Sequence, residues 1–175
     1  KKIVWPTREG VKPQLPAYNH MANLAKQDNV EWLLFIDADE FIVLDKGIDD
    51  FDSYIKLIES RVSNVGAIAI NWAVFGSSNI IIRNDNNVIE SFDYRMEKDT
   101  NINRHYKTLL KINSYISTGG TPHGFEIKSE SAYVDSKGDI LYSPLKGLSE
   151  KVVWDNIRIN HYMIKSKSEF SQKKM

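Results

Sequence analysis

Glu31-Trp32-Leu33-Leu34-Phe35-Ile36-Asp37-Ala38-Asp39-Glu40 is the stretch whose reading decides the fold. A continuous apolar run stops at once on three acids, Asp37, Asp39 and Glu40. A short run without alternation reads as a strand buried on both faces, as in a parallel sheet. In an open parallel sheet, ligands bind outside the carboxyl ends of the strands, so the acids stand where chemistry is expected. The alternation of an extended chain puts Asp37 and Asp39 on one side. Two carboxylates converging at roughly 3–5 Å repel unless a cation lies between them. Hard carboxylate oxygens suit Mg²⁺ or Mn²⁺, and such ions keep positions for substrate phosphates. The plainer reading is that the acids end a strand and cap the next turn. The immediate return of apolar residues at Phe41-Ile42-Val43 weighs against it. Glu40 reads equally as an outer partner that orients a ligand and as an exposed turn residue.

Working outward, Ile3 to Trp5 reads as a short strand and Pro6 to Pro13 as a turn-rich loop. Gln14 to Lys26 has helical spacing, with Leu15, Tyr18, Met21, Ala22 and Ala25 on one side. Asp49 to Val62 is a second amphipathic helix with a stripe of Phe51, Tyr54, Ile55, Ile58 and Val62 and an acid near its start. Gly66 to Phe75 is a mostly apolar strand ended by Gly76-Ser77-Ser78. Strand, helix, strand, helix, strand predicts an α/β sandwich. The second half is richer in strands: Val88-Ile89, Tyr106 to Ile112, Phe125 to Ile127, Ala132 to Val134 and Ile157 to Tyr162. Asn84-Asp85-Asn86-Asn87 and Ser136-Lys137-Gly138-Asp139 are turns. Lys165 to Lys174 reads as a terminal helix.

With 175 residues the chain suffices for one domain, read as residues 1–175, with a sizeable core. Lys plus Arg equals Asp plus Glu at 23 each, which argues against a nucleic-acid partner. The absence of cysteine excludes disulfides and thiolate metal sites and agrees with a reducing cytosol. No apolar run reaches the roughly 18 residues of a membrane span. A cytoplasmic location is expected, at most at the inner face of a membrane, with any peripheral association made outside this segment. The start at Lys1 and the stop inside a helical pattern suggest a fragment cut at both ends.

Four segments in register carry a family resemblance. Trp32-Leu33-Leu34-Phe35-Ile36-Asp37-Ala38-Asp39-Glu40-Phe41-Ile42 looks like the D-x-D strand of glycosyltransferases related to family 2 and family 92 (DUF23-like), which have the GT-A fold. Asn71-Trp72-Ala73-Val74-Phe75-Gly76-Ser77-Ser78 resembles their W-x-x-F-G segment. Val88-Ile89-Glu90-Ser91-Phe92 resembles their V-I-E-R-F, with Ser91 in place of Arg. Asn160-His161-Tyr162-Met163-Ile164-Lys165-Ser166 resembles their N-H-Y-x-x-K-S. The resemblance implies a GT-A-like three-layer α/β sandwich with a mostly parallel central sheet and a β-rich C-terminal half. It implies transfer of a sugar, with inversion, from a nucleotide-sugar donor (a UDP-sugar foremost) to a glycan or glycolipid acceptor in surface polysaccharide biosynthesis, with Mn²⁺ or Mg²⁺ as cofactor. In that fold the base and ribose lie on strands before the D-x-D strand, and the first of these has no counterpart here.

The resemblance also distributes roles. Asp37 and Asp39 would hold the metal, with Asp37 also on the diphosphate side. His161 would complete the metal site and Lys165 would steady the diphosphate; imidazole and ammonium suit those tasks. His123, in Gly119-Gly120-Thr121-Pro122-His123-Gly124, is the alternative metal ligand, on a loop suited to close approach. Lys107 matches a family lysine and would meet phosphate or acceptor. Glu90 is the candidate base that takes the acceptor proton, with Asp93 and Glu126 behind it. Trp72 and Phe75 are either a platform for a sugar face or core, and Gly76 either lets a ligand approach or makes a turn. His20 and His105 are left as surface or structural residues.

Two rivals share the acidic signature. A phosphohydrolase with a nucleophilic Asp also places D-x-D after an apolar strand, although it usually has Thr or Val where Phe41 stands. A non-catalytic sugar- or metal-binding module is the other.

Overall fold

The computed structural model describes residues 4–6, 10, 12–83 and 85–173. The chain runs through α1 (Gln14–Gln27), β1 (Trp32–Leu34), β2 (Glu40–Leu44), α2 (Phe51–Arg61), β3 (Val65–Val74), α3 (Val88–Ser91), β4 (Tyr106–Lys111), β5 (Tyr115–Thr118), β6 (Phe125–Ile127), β7 (Ala132–Asp135), β8 (Ile157–His161) and α4 (Lys167–Lys173).

The apolar run in β3 is buried at every residue and forms the centre of the molecule. Its alternation divides the core. Ala67 and Ala69 pack with Ala22 and Ala25 of α1. Ile68, Ile70, Trp72 and Val74 pack with Tyr54 and Ile58 of α2. The two long helices therefore cover opposite faces, as their apolar stripes require. Asp50 caps α2 by accepting the Ser53 N–H at 2.7 Å.

The class is mixed α/β, but the expectation of a mostly parallel sheet is corrected. The strand order is β1-β4-β3-β8-β2, with β7 also beside β3. Among the described residues, only β3–β7 and β3–β8 are parallel; β1–β4, β3–β4 and β2–β8 are antiparallel. An apolar run records burial, not the direction of a neighbour. The five residues 35–39 between β1 and β2 are also too few for the crossover that parallel neighbours need. β1 is not a strand buried on both faces. It ends the strand order and is half-buried at all three positions.

β1 and β2 stand at opposite ends of that order, yet the same five residues join them. At about 3.3–3.6 Å per residue such a link spans at most about 20 Å. Four steps of about 4.8 Å set the two ends of a flat sheet about 19 Å apart, so the link is drawn nearly straight unless the sheet curls. Asp37-Ala38-Asp39 bridges the gap.

Smaller differences have local causes. Val88–Ser91 is one helical turn, not a strand, because the Asn87 carbonyl accepts from both Glu90 N and Ser91 N. Val4 and Trp5 are not in a strand, and Ile3 lies outside the described residues. The terminal helix starts at Lys167, since Lys165 has φ 54°; Lys174 is outside the described residues. β5 and β6 form a separate two-stranded sheet. No helix among the described residues is long and apolar enough to cross a membrane.

Candidate functional site

The bridge is held from the two strands that flank β3. On the β4 side, Lys107 is almost fully buried and donates to Asp37 Oδ2 at 2.9 Å, while Asp37 stays half exposed. Lys107 Nζ also lies 3.6 Å from Glu40 Oε2, and that same oxygen accepts the Asp37 N–H at 2.8 Å. On the β8 side, His161 Nε2 lies 3.5 Å from Asp39 Oδ1. Glu40 and His161 are register partners across β2 and β8, and Tyr162 N donates to the Asp39 carbonyl. Lys173, from α4, donates to Asp39 Oδ2 at 3.0 Å and to the Met163 carbonyl at 3.3 Å.

Burial and neighbours shift these groups in different directions. Burial pushes Glu40 up to about 7, against the Asp37 N–H and the Lys107 charge that favour its carboxylate. Burial opposes a charge on Lys107, but the Asp37 hydrogen bond and the Glu40 charge hold it above the ordinary lysine value. Burial would raise Asp39 too; the Lys173 hydrogen bond and the His161 and Lys173 charges outweigh it and hold the carboxyl low. Burial drives His161 below its ordinary value despite the pull of Asp39 and Asp37. A carboxylate beside a neutral imidazole is a chemically suitable donor pair for a divalent cation.

Behind the bridge lies an aromatic cluster. The Trp72 ring stacks on His105 at 5.0 Å and meets His161 edge-on at 4.3 Å and His123 at 5.2 Å. Trp72 and Phe75 are both buried, so neither offers a platform to a sugar. His105 Nδ1 pairs with the Ile102 carbonyl and is structural. His20 is exposed and its ring lies 5.3 Å from Trp5.

The structure thus brings four predicted residues together: Asp37, Asp39, Lys107 and His161. Of the two candidate imidazoles, His161 meets Asp39. His123 Nδ1 pairs instead with the Tyr106 carbonyl, and burial, then the Lys107 charge, pushes its ring down to about 4. The glycine-rich loop around His123 makes its close approach to the chain itself: a Cβ on Gly124 would collide with the Pro144 carbonyl. Lys165 lines a depression of about 320 Å³ with Met163, Glu169, Gln172 and Lys173, next to Asp39. Glu90 and Asp93 are exposed, and Glu126 accepts from Ser117 on the small sheet; none is brought against the bridge. Gly76 N donates to the Tyr94 carbonyl beside the Phe75–Arg95 bridge, so Gly76 makes a contact between distant segments and not a turn. Among the described residues, no group of three His, Asp or Glu side chains is gathered as a ready ligand set. Glu40 and Lys173 are the site residues that sequence alone did not resolve. For Glu40 the signal was present, because strand alternation puts it on the face of the half-buried Ile42 and Leu44. No known family model matches the chain, and no curated protein sequence matches it.

Proposed function

We propose that the bridge is the cation and diphosphate site of a glycosyltransferase of GT-A type that takes a nucleotide-sugar donor and a glycan or glycolipid acceptor. One observation carries this reading: the two acids of the D-x-D segment each meet a basic side chain from a different strand, Lys107 at Asp37 and His161 at Asp39. The donor set fits Mn²⁺ or Mg²⁺. Asp39 and His161 would hold the ion, with Asp37 beside it and still paired to Lys107. When bound, the ion neutralises charge on the departing diphosphate.

The chain's own residues do the rest. Lys107, fixed in β4 and charged, holds Asp37 in place and offers its charge to a phosphate oxygen. Lys173 neutralises Asp39 until a cation replaces it. Lys165, beside the same depression, meets the outer phosphate. Glu90 is the candidate base. Its one-turn helix packs through Val88 on the cluster of Phe75, Phe92 and Tyr162, and Tyr162 is bonded at Asp39.

The test is a thermal-shift and turnover screen of UDP-, GDP-, CMP- and dTDP-sugars with and without Mn²⁺, on the full-length protein. A Mn²⁺-dependent shift with one donor class, lost in Asp39→Asn, supports the reading. Binding of no nucleotide sugar, or trapping of a phospho-aspartate at Asp37, overturns it. In an active preparation, Glu90→Gln is expected to keep donor affinity and lower kcat by about 10²–10⁴-fold. Unchanged turnover would pass the role to Asp93 or Glu126.

A further inference from the structure

Two buried side-chain atoms at the bridge, Glu40 Oε1 and His161 Nδ1, have no hydrogen-bond partner among the described residues. They face each other at 3.8 Å, on residues paired directly across β2 and β8. Leaving either unpaired costs about 1–3 kcal/mol, and a small side-chain rotation closes the gap. Glu40 has no other use for this oxygen, since its Oε2 already takes the Asp37 N–H and lies near Lys107.

A neutral imidazole has one N–H to give. At His161 it goes either from Nδ1 to Glu40 or from Nε2 to Asp39, whose Oδ1 lies 3.5 Å away. Asp39 already accepts from Lys173 and is partly open to water, with 15% of its side chain exposed against none for Glu40. An orphaned acceptor costs more where water cannot reach it. The proton therefore belongs on Nδ1. The Trp72 ring, 4.3 Å away and inclined at 65°, restricts the imidazole from turning over.

We infer that Glu40 is a positioning residue that keeps the His161 proton on Nδ1 and so aims the Nε2 lone pair at the Asp39 side of the bridge. A carboxylate behind an imidazole in this manner fixes the tautomer of a metal ligand and makes it more basic. The metal half of this inference rests on the proposed cation site; the tautomer half does not.

Nitrogen-15 NMR of the histidine rings in the metal-free full chain at pH 8, with His161 assigned through His161→Gln, reads the tautomer directly. The expected wild-type form is Nδ1–H. In Glu40→Gln, the amide oxygen stays with the Asp37 N–H and the amide nitrogen faces His161. Nδ1 must then accept, and the ring should switch to Nε2–H. Mn²⁺ affinity should fall by about 10–100-fold in the same variant. A wild-type ring protonated at Nε2, or a tautomer unchanged in Glu40→Gln, overturns the inference even if Mn²⁺ binds. A switch of tautomer with no Mn²⁺ binding to either protein overturns the cation site and leaves the positioning role standing. Should Glu40→Gln fail to fold, the wild-type tautomer alone decides the first half. Glu40→Ala, which removes the acceptor without adding a donor, then repeats the affinity test.

Discussion

Asp37 and Asp39 stand two residues apart on one bridge, yet they lean on different strands, on either side of β3. Asp37 is half exposed and held by a lysine buried in β4. Asp39 is mostly buried and held by a histidine at the end of β8 and by a lysine that is itself more than half exposed. The fixed cation is on the Asp37 side and the replaceable one on the Asp39 side. The difference teaches where an ion would enter the proposed cation site: it would displace Lys173, which surrenders little, and not Lys107, whose loss would strand the buried Glu40.

The largest effect should come from removing the fixed cation. Lys107→Met leaves Glu40 buried and Asp37 unpaired, and is expected to destabilise the fold by about 3–5 kcal/mol in chemical denaturation. A loss below about 1 kcal/mol would mean that the two flanks do not differ in this way. Next, Asp39→Asn should weaken Mn²⁺ binding by more than the about 10–100-fold typical of an outer partner, and Asp37→Asn by less than Asp39→Asn, as titration calorimetry would show. The reverse order would assign the ion to the Asp37 flank.

The third effect is a pH slope on the Lys107 flank. The unfolded chain protonates His123 near its ordinary 6.5, the folded chain only near 4. Between those values the unfolded state binds more protons, so the contribution of His123 to stability rises with pH across about 4 to 6.5, opposite in sign to that of Glu40, whose carboxyl is raised from 4.5 to about 7. His123→Gln should flatten that rise in denaturation midpoints measured through the window. The smallest effect is expected from Lys173→Gln. An exposed ion pair contributes about 0–1 kcal/mol, so the melting temperature should barely move while Mn²⁺ affinity increases slightly. A drop in affinity would show that Lys173 assists the ion instead of standing in for it.

The elements of the fold were largely legible. The stripe of α2, that of α1 apart from the exposed Met21, and the runs of β3, β4 and β8 follow from helical spacing and apolar length, and burial enforces both. What sequence did not show was pairing. The Leu33-Leu34 run looked central and is an edge, because nothing in it records that β4 arrives antiparallel, with Leu110 opposite Leu33 and Leu109 opposite Leu34. The site divides likewise. Asp37 and Asp39 announced themselves by position, and Lys107 and His161 entered through the resemblance. Glu40 stayed ambiguous because its partners come from two distant strands. Lys173 gave no signal, since a lysine on a helical turn near the end of a chain is ordinary until its neighbour is known. Glu90 was read on a strand because Val88-Ile89 is β-branched, but the Asn87 carbonyl turned the segment into a helical turn.

The five-residue link between the two ends of the sheet also acts as a mechanical strap. A strap that short transmits displacement: when the β1 edge breathes outward, slack must be drawn from the start of β2, where Glu40 is registered to His161. Backbone amides on either side of the bridge should therefore exchange with solvent as one cooperative unit and not as two independent edges. An inserted residue at position 38 would uncouple them, giving two exchange rates where the native chain shows one.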